Sequence, residues 1–144
     1  MNIRIAVIEQ FPQIRLLFQA ILTPAGYDVV SFEQDENSLQ HLKALEPDLI
    51  ILGDIRLSAE NELQFFNTLR TQPETQAIPL IIATTSTPRL LESPLLEDVT
   101  ELHVLYKPFQ HQQLLDCVAN ALKQGKTRRI LPKSTDGTQA AAYG

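Results

Sequence analysis

The stretch PDLIILGDIRL, residues 47–57, decides how this chain is read. Pro47 and Asp48 open it, four consecutive apolar residues follow, and Gly53 then leads into the acid Asp54. A run of that length, apolar on successive residues and bounded by turn formers, suits a strand buried on both faces. The acid at its end is either a reactive carboxylate at the mouth of a site or the polar end of a strand.

Working outward, the apolar period alternates between two values. IRIAVI (3–8) is expected to be a buried strand, and Pro12 suits the first turn of a helix. Ile14, Leu17, Phe18, Ile21 and Leu22 then recur on one helical face. PAGY (24–27) stops that helix and YDVVSF (27–32) follows as a strand. Asp35 is placed to cap a second helix with its face at Leu39, Leu42 and Leu45. After the opening stretch come a helix through Leu63, Phe66 and Leu69 and a strand at IPLIIAT (78–84). Pro88 and Pro94 limit residues 86–98 to a short or broken helix. LHVLY (102–106) is a fifth strand, and Leu114, Leu115, Val118 and Leu122 mark a last helix that Gly125 can end.

Five strands alternating with helices, several of them apolar on both faces, imply a parallel sheet covered on both sides, a doubly wound α/β fold. Ligands of such folds sit at the carboxyl ends of the strands, where strand order reverses. Four strand ends carry candidates: Glu9 and Gln10, Asp54, Thr84, and Lys107.

Bulk properties narrow the class. With 144 residues and 44% apolar content, the chain is expected to form one domain over residues 1–124. Residues 125–144 are expected to be a basic, disordered tail. The body to residue 122 holds 16 of the 17 acids and 7 of the 12 Lys and Arg, an imbalance that argues against nucleic-acid binding. No segment is long and apolar enough to span a bilayer, no signal peptide is visible, and Cys117 is the sole cysteine. These point to the cytoplasm. His41, His103 and His111 show no ligand spacing and are expected at the surface or its rim. Cys117 is expected to be a buried inert thiol, and Phe65 and Phe66 core residues.

Over about residues 3–122 the chain resembles the receiver domain of bacterial response regulators. VIEQFPQIR stands where receivers have an acidic pair and a helix-opening proline. PDLIILGDIRL stands at their phosphoacceptor strand, IPLIIATT at the strand bearing a hydroxyl, and YKPF at the lysine-proline of the fifth strand. The resemblance implies a CheY-like, flavodoxin-type sheet of order 2-1-3-4-5 with helices on both faces. It also implies a signalling module rather than an enzyme. Asp54 would accept a phosphoryl group from a histidine kinase or phosphotransfer protein. Thr84 would bind a phosphoryl oxygen, Lys107 would pair with the phosphoryl group, and Mg²⁺ would be held by Glu9, Gln10 and Asp54. The Lys107–Pro108 bond would be cis, an isomer that proline alone tolerates at low cost. Signalling would go through a downstream protein partner, with no DNA-binding domain following; the oligomeric state stays open.

The chain departs from that pattern in ways that bear on chemistry. Gln10 brings no charge where a second acid is usual. Counting forward from Pro47 puts the acceptor position at Gly53, whereas counting back from Thr84 puts it at Asp54. A bulge at Gly53 would absorb the extra residue. LSAEN replaces the usual proline-glycine turn, and Val104 stands where an aromatic is frequent. Metal affinity is therefore expected to be weak. The alternative is a phosphorylation-independent interaction module of the same fold. A flavodoxin-like cofactor binder ranks last, because EQFPQ after the first strand is no phosphate loop.

Overall fold

A computed structural model describes residues 2–53, 60–84 and 102–130, with the backbone alone at 60–63, 102 and 124–130. Its elements run β1 (Arg4–Ile8), α1 (Pro12–Leu22), β2 (Asp28–Phe32), α2 (Ser38–Leu45), β3 (Leu49–Gly53), α3 (Glu60–Thr71), β4 (Leu80–Thr84), β5 (Leu102–Tyr106) and α4 (His111–Ile130). The strands form one parallel sheet in the order β2-β1-β3-β4-β5, as the sequence pattern implies.

Period-two alternation sorts each strand into two cores. Ala6, Ile8, Ile50, Leu52, Leu80 and Ile82 face one way, onto Leu42 of α2 and Phe65, Phe66 and Leu69 of α3. Ile5, Val7, Leu49, Ile51, Ile81 and Ala83 face the other way, onto Phe18, Ile21 and Leu22 of α1 and Leu114, Val118 and Ala121 of α4. The central strands therefore read as unbroken apolar runs because both their faces are buried. Each fully buried Ile, Leu or Phe contributes about 1.5–3 kcal/mol by leaving water.

Three local expectations are corrected. Asp35 is not the cap of α2: the helix starts two residues later, with Asn37 at the N-cap position. Asp35 instead accepts the Asn37 N–H at 2.7 Å, while its own N–H donates to Ser38 Oγ at 2.8 Å, an Asx-type turn ahead of the helix. Gly125 does not end the last helix, which continues to Ile130. One interior glycine costs a helix about 1 kcal/mol without stopping it, and Lys, Arg and Gln neighbours favour helix. His103 is half-buried rather than superficial, and its Nε2 is enclosed without a hydrogen-bond partner. Phe65 and Phe66 are core residues as expected. The proline-limited stretch 86–98 and residues 131–144 of the tail lie outside the described residues.

Two turns need unusual backbone. Gly26 has φ of +102°, which ends the α1 connection, and Glu46 adopts the left-handed conformation at the α2 C-cap just before Pro47. No described helix is long and apolar enough to cross a membrane.

Candidate functional site at the strand ends

Strand order reverses between β1 and β3, so the crevice of this fold opens at their carboxyl ends. Glu9 follows β1, Gly53 ends β3, Thr84 ends β4 and Lys107 follows β5. Backbone bonds fix these ends. The Glu9 N–H donates to the Phe32 carbonyl at 3.0 Å, and the Lys107 N–H donates to the Thr84 carbonyl at 2.9 Å. Thr84 is fully buried. The Lys107–Pro108 peptide is cis, in agreement with the expectation.

Glu9 is a charged residue taken almost wholly out of water, at 1% exposure. Its Oε1 accepts from Lys107 Nζ at 3.0 Å, and its Oε2 accepts from the Phe11 N–H at 3.2 Å. The Lys107 side chain is itself only 11% exposed. A buried carboxylate is stable only with such partners, since desolvation penalises an unpaired charge by several kcal/mol. Arg15, one turn into α1, clamps the loop from the other side. Its Nη1 donates to the carbonyls of Glu9 at 2.6 Å and Gln10 at 3.1 Å.

The register across the sheet explains how Glu9 and Lys107 meet. Pairing runs without interruption from Ile50↔Leu80 to Gly53↔Ala83, so β3 stays in regular register up to and including Gly53, while the Gly53–Asp54 step where the expected bulge would complete lies outside the described residues. Ile8 pairs with Leu52, which sets Glu9 beside Gly53. A Cβ on Gly53 would lie 2.7 Å from Glu9 Cδ and closer still to Oε1. The Glu9 carboxylate thus fills the volume that any side chain at position 53 would need.

Of the residues singled out from sequence, Glu9 and Lys107 are brought into contact, and Thr84 is bonded through its carbonyl to Lys107. Gln10 is exposed. Asp54 lies outside the described residues. Sequence reading missed Arg15 and the Phe11 amide, because a lone Arg on a helix and a backbone N–H carry no pattern. It saw Gly53 without seeing what the glycine makes room for.

A family model of the response regulator receiver domain matches residues 5–119. The chain belongs to the response regulator receiver family. No curated protein matches it. Among solved structures, it is similar to the chemotaxis response regulator CheY4 of Vibrio cholerae, with 20% identity, a TM-score of 0.71, and coverage of 84% of this chain and 99% of that one. A signal receiver domain of a two-component histidine kinase from Clostridium thermocellum shares 27% identity at a TM-score of 0.70, covering 85% and 99%. A sensor protein from Polaromonas sp. JS666 shares 15% identity at a TM-score of 0.75, covering 87% and 99%. The receiver is a signalling module of two-component systems.

Receivers typically bind Mg²⁺ in this acidic pocket. Among the described residues, Glu9 and Gln10 do not by themselves make a site for that ion. Mg²⁺ requires oxygen ligands in an octahedron. Glu9 is engaged by the Lys107 ammonium at 3.0 Å and the Phe11 N–H at 3.2 Å, so a second cation there meets a fixed positive charge, and Gln10 is exposed and brings no charge.

Proposed function

We propose that this chain is a receiver-type module that acts by binding a protein partner, with its strand-end pocket held by an internal ion pair instead of by phosphoryl transfer. The observation that carries this reading is the β3 register, regular up to Gly53. It puts a glycine, with no carboxylate, at the position whose side chain would point at Glu9. The module is not an enzyme on this reading. Its partner belongs to a two-component pathway, a histidine kinase, a phosphotransfer protein or a downstream target, and the compartment is the cytoplasm.

A second reading keeps the chemistry. Thr84 and Lys107 stand at the ends of β4 and β5, and Asp54 follows β3 directly in the chain. Asp54 would then be the phosphoacceptor, served by Thr84 and Lys107 as hydroxyl and cation.

Incubation with a small-molecule phosphodonor and Mg²⁺, followed by intact mass, separates the two. Folded wild-type protein without a phosphate adduct supports the phosphate-independent module. A single adduct that disappears in Asp54→Asn establishes the second reading and overturns the first.

A further inference from the structure

β1 and β5 are not neighbours: β3 and β4 lie between them. Three strand spacings amount to roughly 14 Å, more than a lysine or a glutamate spans alone. The Glu9–Lys107 contact therefore forms over the ends of the two intervening strands. The residues in that row are Gly53 and Ala83, paired with each other and pointing to the same face of the sheet as Glu9. Ala83 pairs in turn with Leu105, two residues before Lys107. Glycine and alanine are the two smallest residues, and a larger side chain at position 53 would stand where the Glu9 carboxylate lies.

We infer that Glu9 is the resident anion of this pocket, seated over Gly53 and neutralised by Lys107, and that the pocket is thereby independent of a divalent cation. Gly53 and Glu9 form a matched pair. Glycine at 53 is the condition for Glu9 to reach Lys107, and Glu9 supplies from β1 the carboxylate that Gly53 lacks. The Phe11 amide and the Arg15 clamp on the Glu9 and Gln10 carbonyls fix the loop from which Glu9 projects, so the carboxylate has little freedom to yield. The Lys107 ammonium lies 3.0 Å from the carboxylate, a fixed positive charge that opposes a second cation there. The contact of Glu9 with Lys107 over Gly53 involves no atom of Asp54.

A double-mutant cycle tests it on the full chain. Gly53→Ala, Glu9→Ala and the double variant are compared by urea unfolding. Alanine ordinarily stabilises a strand relative to glycine, so a loss on Gly53→Ala is diagnostic. The expected result is a fall in the folding constant of about tenfold or more for Gly53→Ala in wild type, with no fall in the Glu9→Ala background. Equal effects in both backgrounds would overturn the matched pair. Should Glu9→Ala fail to fold, Glu9→Asp provides a shorter carboxylate for the same comparison, with the Gly53→Ala penalty reduced. Mg²⁺ titration calorimetry on wild-type protein supplies a second readout that stability does not move. Absence of saturable heat over millimolar Mg²⁺ is expected, and saturable binding would overturn cation independence. A phosphate adduct on Asp54 would sink the phosphate-independent function yet leave the coupling intact. Loss of coupling without an adduct would do the reverse.

Discussion

Lys107 Nζ lies 3.0 Å from Glu9 Oε1, joining residues 98 positions apart in the chain, with the Glu9 side chain completely buried. Pairs of this kind are worth little against a well-packed apolar alternative, but removing one partner is costly. Lys107→Met is therefore expected to destabilise the fold by about 3–5 kcal/mol, because it leaves the Glu9 charge in a pocket without its cation. Pairing it with Glu9→Leu should recover a large part of that loss. Urea denaturation of the two single variants and the double variant would measure both, and a Lys107→Met variant as stable as wild type would show the pair to be dispensable.

Phe66 anchors α3 against the sheet face built from Ile8, Leu52 and Ile82 and has no exposed surface. Phe66→Ala is expected to cost about 3–5 kcal/mol through lost burial and the cavity left behind. Phe11, half exposed at the start of α1, offers the contrast: Phe11→Ala should change stability by less than about 1 kcal/mol. Equal midpoints for the two variants would contradict the assignment of the core.

Burial pushes the Cys117 thiol up to about 11 from an ordinary 9.0. At pH 8 its thiolate fraction is then roughly a hundredfold below that of an unfolded chain, and the thiolate is the reactive form. Alkylation by iodoacetamide should be slow in native protein and fast in urea. The linkage has a definite sign. The unfolded thiol loses its proton above pH 9 while the folded one keeps it, so stability present below pH 9 declines as pH rises from 9 towards 11. Cys117→Ala should remove that alkaline decline. Cys117 is half-buried rather than fully buried as expected, and native alkylation as fast as in urea would refute even that placement.

Burial lowers the affinity of His103 for a proton, and its Nε2 is enclosed without a partner. The unfolded imidazole therefore takes up a proton at a higher pH than the folded one, and stability falls as pH drops through the ordinary histidine range near 6.5. His103→Val, which suits an outer strand position, should flatten the change in unfolding free energy between about pH 7 and pH 5. An unchanged acid slope in this variant would assign the effect elsewhere.

Much of the fold was legible because its signals are local. Period two in IRIAVI and LIIL, period 3.6 in α1, and the proline and glycine boundaries each depend on residues close in sequence. Helix ends were less legible. Asp35 resembles a cap yet serves a turn, and Gly125 resembles a terminus yet lies within α4, because neighbouring residues outweigh single-residue preferences there.

The sequence by itself determined that a parallel sheet would bury both faces and that Glu9, Thr84 and Lys107 would follow strand ends. Only the tertiary structure decided that Gly53 stays in register with Ala83 and that Glu9 crosses over it to Lys107. The physical reason is that apolar period reports which face a side chain takes, whereas register between strands separated by a helix is set by how two cores pack at once. A glycine in the sequence marks space without naming its occupant. Here the occupant is a carboxylate from another strand, held by an ammonium from a third.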